Sequence, residues 1–140
     1  MRTTAGWWVW TLLVTVGMGC SSGPEPIAFG QDQCAFCQMT IAEPTFGAEL
    51  ITDKGRVLKY DAAECLIDHL AADAPPHRQL LAIAYDDPRQ LYPVDSLTFV
   101  IAPEYRSPMG ANLAAFRDIN RAKPGAAMRW KKVRRKLAER

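Results

Sequence analysis

The chain has 140 residues, enough for one domain or two very small units sharing a core. It is 49% apolar and 23% charged, an ordinary globular balance, and its ten prolines and nine glycines argue for many turns and against a long-helix bundle. A net charge of +2 excludes the strongly basic type of nucleic-acid binder.

In chain order, Met1-Arg2 followed by the ten-residue apolar run 7–16 and the small residues Gly17 and Gly19 predicts a signal peptide over residues 1–19. The run is too short for a membrane-spanning helix, which needs roughly 20 residues. Cys20, directly after a small residue, predicts a lipidated mature N-terminus, although Gly17 stands where a leucine is usual. Residues 20–33, rich in Gly, Pro and Ser, then read as a flexible tether reaching roughly 40 Å at about 3.3 Å per residue. That order places the protein on the periplasmic face of a bacterial membrane. Ser21 in place of an aspartate favours the outer membrane.

The body is expected over residues 34–130. Residues 47–52 and 56–60 are short β-like runs flanking the turn signal Asp53-Lys54-Gly55, so they predict a hairpin. Asp61 is placed to cap a helix through Leu70, with Ala62, Ala63, Leu66, Ile67 and Leu70 on one face. Pro75-Pro76 stops it, residues 80–85 predict a strand, and Asp86-Asp87-Pro88 a turn. Residues 97–102 predict another strand. Ser107-Pro108 reads as a helix start, with Leu113, Phe116 and Ile119 following at helical spacing. Residues 127–130 suggest a last strand. Residues 131–140 form a basic tail with six positive charges and one negative, expected as a solvated helix or as a docking element for anionic lipid or an acidic partner. Strand pairs followed by helices predict an α+β fold of two related strand–strand–helix units sharing a mixed or antiparallel sheet.

The chemistry concentrates in residues 34–39, CAFCQM. With Cys20 consumed by lipid, Cys34, Cys37 and Cys65 remain, an odd number that does not suit a pure disulfide framework. Two cysteines two residues apart can chelate one ion, and Met39 adds a thioether. Such soft donors favour Cu(I), whereas zinc sites prefer Cys and His. Two alternatives stay open: a thiol–disulfide redox pair, and a structural Cys34–Cys37 disulfide in an oxidising compartment. Cys65 and His69, four apart on the predicted helix, read first as a buried small hydrophobe and a surface histidine, with joint metal binding by the two a minor alternative. Met109 alone reads as a core methionine. Carboxylate spacing, nucleophile elbows and nucleotide loops supply no case for an enzyme.

Together, Cys20, the CAFCQM segment, the helix start at 60–70 (YDAAECLIDHL) and the tract 95–116 with its Ser-Pro-Met-Gly resemble the NosL family, accessory lipoproteins of nitrous oxide reductase maturation. The resemblance implies a membrane-anchored periplasmic Cu(I) chaperone and not an enzyme. Nitrous oxide reductase would be its client, and a copper exporter or donor its source. Carried over residue by residue, it implies Cys34, Cys37 and Met39 as ligands and raises Met109 from core methionine to ligand. The basic ending departs from the family pattern.

Overall fold

The computed structural model describes residues 23–140; the expected signal peptide and Cys20 lie outside them. Seven strands and two helices form an α+β fold. The order is β1 (Ala48–Thr52), β2 (Val57–Tyr60), α1 (Ala63–Ala72), β3 (His77–Ala84), β4 (Asp87–Pro93), β5 (Thr98–Ile101), β6 (Leu113–Phe116), β7 (Ala126–Arg129) and α2 (Trp130–Ala138). The strands do not share one sheet as expected. They make two antiparallel sheets, β2-β1-β3-β4 and β6-β5-β7. The Tyr85 N–H donates to the Ala115 carbonyl at 2.7 Å across the junction between the sheets. Asp86 at the β3–β4 turn accepts from the Arg117 and Asp118 N–H groups that follow β6.

The expected hairpin is β1–β2, with Ala48 opposite Tyr60 and Gly55 at φ 85°, the left-handed conformation that glycine adopts without strain. Helix α1 is buried all round from Ala63 to Ile67, so its first turns lie inside the molecule. Asp61 does not cap it. The N-cap is Ala62, with no side-chain hydrogen bond, while the Asp61 carboxyl is buried, with the Ala42 backbone N–H drawing its value down against burial. The helix expected after Ser107-Pro108 is also absent. Leu113 to Phe116 form β6, all four buried, paired antiparallel with β5. A strand covered on both faces loses the alternation that distinguishes it from a helix, and its two alanines add a helical bias. Strand β4 went unpredicted because Pro88 and Pro93 bracket a polar run. It lies at the sheet edge, where proline is tolerated.

Residues 23–33 pack more closely than the expected flexible tether, and the expected basic helix at the C-terminus is present but packed on one face. From Pro24 on, the chain packs on the first sheet. Ile27 and Phe29 join the core periphery, and a Cβ on Gly47 would lie 2.8 Å from Ile27 Cδ1. Lys59 Nζ donates to the Pro26 carbonyl at 2.9 Å and to Asp32 Oδ2 at 2.8 Å. Residues 24–33 therefore do not act as a spacer. At the other end, α2 buries Trp130, Val133 and Leu137, and Trp130 meets Phe99 with ring centroids 5.3 Å apart. Isolated helices shorter than about 12–15 residues are marginal in water, so this nine-residue cationic helix depends on that packing. Burying one large aromatic, 150–250 Å² at about 25 cal/mol/Å², contributes about 4–6 kcal/mol before entropy. Arg140 closes the end of α2 onto Asp68 of α1 at 2.9 Å. Among the described residues no helix is long and apolar enough to cross a membrane.

Glu49 lies fully buried under the N-terminal segment, with Oε2 accepting from the Glu25 N–H at 3.3 Å and Oε1 unpartnered. Burial pushes its carboxyl up to about 7 from an ordinary 4.5, against the pull of the Glu25 N–H and Lys59. Between those values the folded chain holds a proton that the unfolded chain has lost. Stability is therefore greatest below the lower value and falls as pH rises through the upper one. Glu49→Gln is expected to match the parent's melting temperature near pH 4 and exceed it by roughly 5 °C at pH 8. A difference independent of pH contradicts this.

Candidate metal centre

The CAFCQM segment folds as a closed loop. Gln33 and Thr40 form an isolated antiparallel bridge. The Cys34 N–H donates to the Met39 carbonyl at 2.8 Å and the Gln38 N–H returns to the Cys34 carbonyl at 3.1 Å, with Gln38 in the left-handed region at φ 63°. This turn puts both cysteines on one side. The loop is fixed to the first sheet by one hydrogen bond, from the Ala35 N–H to the Lys59 carbonyl on β2, 2.8 Å. Strand β2 leads directly through Tyr60 and Asp61 into α1, so the loop lies over the helix's first turn, which carries Cys65.

The result is a cluster of three thiols. The Sγ atoms of Cys34, Cys37 and Cys65 all lie within 4.8 Å of one another, and all three cysteines are free. One ion bonded to sulfur at about 2.3 Å, the zinc–thiolate value, spans sulfurs up to about 4.6 Å apart, so the set fits a single ion with little movement. Cys34 and Cys65 are completely buried; Cys37 is half-buried.

The electrostatics are asymmetric. Cys34 is pulled down to about 5, first by a hydrogen bond from the Cys65 thiol, then, against desolvation, by the backbone N–H groups of Asp61, Cys37 and Phe36. It is a thiolate at neutral pH. Cys65 is pushed strongly up because its proton is committed to Cys34 and burial disfavours its anion. Desolvation, with the Cys34 charge beside it, also raises Cys37. The anion is thus favoured on Cys34 over the other two sulfurs.

The other expected site residues lie outside the thiol cluster. Met39 is 55% exposed at the end of the loop, and Met109 is 37% exposed in the 107–111 turn. His69 is not part of the thiol group. Its Nδ1 pairs with the Tyr60 hydroxyl at 2.9 Å, and its ring stacks on Phe36 with centroids 5.7 Å apart. Cys65, expected first as a buried hydrophobe and only as a minor ligand candidate beside His69, is the third member of the thiol group. Its signal was the odd thiol count after Cys20, Cys34 and Cys37 were assigned.

Comparison with solved structures finds a NosL-like fold. The chain is similar to the crystal structure of the copper chaperone NosL from Shewanella denitrificans at a TM-score of 0.68 and 16% identity, over 79% of this chain and 95% of that one. No protein-family model and no curated protein matches the sequence.

Iodoacetamide reacts with accessible thiolates. Cys37 is expected to be alkylated first, at a rate that climbs with pH because its thiol value is raised, while Cys34 and Cys65 react only on unfolding. Peptide mapping that finds Cys34 labelled before Cys37 contradicts the described burial.

Proposed function

We propose that this protein is a Cu(I) carrier that holds its cargo on Cys34, Cys37 and Cys65, with Met39 and Met109 as thioether donors at the rim. The observation that carries this reading is the three-thiol cluster, with two of its sulfurs completely buried and the third half-buried. Thiolate with thioether is the donor set that selects Cu(I) among common metals. Cys34 supplies a ready thiolate, and Cys37 and Cys65 give up protons as the ion binds. The described copper chaperone of the same fold supports the choice of cargo. Release proceeds by exchange, the receiving protein's ligands replacing Cys37 and the methionines first because they are accessible, and the buried pair last.

The delivery route belongs to the same proposal. The leader and Cys20 would anchor the chain to the periplasmic face of a bacterial membrane, near an exporter or donor that loads it, and nitrous oxide reductase would receive the copper. A second reading, a thiol–disulfide oxidoreductase that keeps copper-site cysteines reduced, is favoured by the low value of Cys34. The complete burial of Cys34, which denies it an incoming disulfide, weighs against it.

Cu(I) affinity, measured by competition with a chromophoric chelator, tests the carrier reading. Replacing all three cysteines by serine is expected to lower affinity by at least about a hundredfold, roughly 2.8 kcal/mol. The parent's affinity should rise from pH 6 to pH 8 as the thiols release their protons. A triple variant that binds as the parent does rules the site out.

A further inference from the structure

We propose that Glu64 is a positioning residue of the copper site, fixing the turn that carries Met109 against the first turn of α1. This rests on the carrier reading with Met109 as a donor. Glu64 immediately precedes Cys65 and is completely buried. Its Oε1 accepts twice, from the Ser107 hydroxyl and from the Ala111 N–H at 3.1 Å. These two donors are the two ends of the turn. Between them the Gly110 N–H closes onto the Ser107 carbonyl at 2.9 Å, with Gly110 at φ 78°, and Met109 stands at the exposed apex. The Ser107 hydroxyl oxygen also accepts from the Leu113 N–H at 3.2 Å, which turns its proton towards Glu64. A single carboxylate oxygen on the Cys65 helix thus holds both feet of the Met109 turn.

Packing alone does not call for this residue. Glu64 Oε2 is buried with no hydrogen-bond partner, and no cation forms a salt bridge with the carboxylate among the described residues. A buried carboxylate satisfied on one side only is costlier than an apolar side chain of the same volume. What the carboxylate adds is registration between two parts of the chain more than 40 residues apart in sequence. The turn otherwise leads into β6 through Asn112, itself in the left-handed region at φ 55°. Without the two bonds, the donor at the apex would have to be ordered anew each time an ion bound.

The test is a double-mutant cycle on Cu(I) affinity in the full chain, read against bathocuproine disulfonate, with melting curves run in parallel. Met109→Leu is expected to lower affinity by about tenfold. Ser107→Ala is expected to lower it by about three- to tenfold with Met109 present and not at all in the Met109→Leu background. Glu64→Gln, whose amide oxygen can accept both bonds, should keep the parent's affinity. Glu64→Leu, which fills the space without an acceptor, is the second disrupting variant and carries the same expectation as Ser107→Ala. Equal losses with and without Met109 overturn the proposal, as does parental affinity in both disrupting variants. Parental affinity in Met109→Leu also overturns it, while leaving the carrier reading to the triple-cysteine variant.

Discussion

The site depends on how one buried sulfur is solvated. Cys34 Sγ lies beside the Cys65 thiol, and that thiol and the backbone N–H groups of Asp61, Cys37 and Phe36 favour its anion. Those donors come from three places: its own loop, the corner between β2 and α1, and the first turn of α1. Removing a thiolate from water is expensive, and only several converging donors offset it. The loop closure at Gln38, the Ala35–Lys59 bond and the burial of the first turns of α1 each serve to bring those donors to one point.

The periphery follows from the same arrangement. Tyr60 and His69 hydrogen-bond beside the thiols, and Phe36 covers His69. Burial and the neighbouring cysteines raise the Tyr60 phenol, so it remains a neutral partner. Asp61 is buried with Oδ1 unpartnered, and burial, then the charge on Cys34, raise its carboxyl. Lys59 fastens residues 24–33 through Pro26 and Asp32, and its own carbonyl holds the cysteine loop. One β2 residue therefore ties the N-terminal segment to the cysteine loop.

Much of this was legible in the residues. The β1–β2 hairpin, α1, β3, β5, β7 and the C-terminal helix follow from turn signals and periodicity, because their cues are local. The misread segments are those where tertiary context supplies the decisive term. Leu113 to Phe116 satisfy helical spacing yet form a strand, because β5 lies ready to pair with them and both faces are covered. The supposed tether has linker composition, but Ile27 finds a glycine to pack on and Lys59 finds its carbonyl. Cys37 and Cys65 are 28 positions apart, and only the hairpin return brings them together. Helical spacing linked Cys65 to His69, but the fold sends the two side chains to different partners: one to Cys34, the other to Tyr60.

The division between buried and accessible donors gives the proposed carrier its logic. In that proposal two sulfurs sealed from water would retain the ion and donors at the surface would admit exchange, which assigns retention and release to different residues of one site. The third thiol is the part of this account with least precedent in the sequence motif, and it can be examined directly. X-ray absorption at the copper edge, on the Cu(I)-loaded chain and on its Cys65→Ser variant, counts the sulfurs bound. The account predicts a sulfur-only shell that loses one sulfur in the variant. An unchanged sulfur count, or a shell containing imidazole nitrogen, would contradict it.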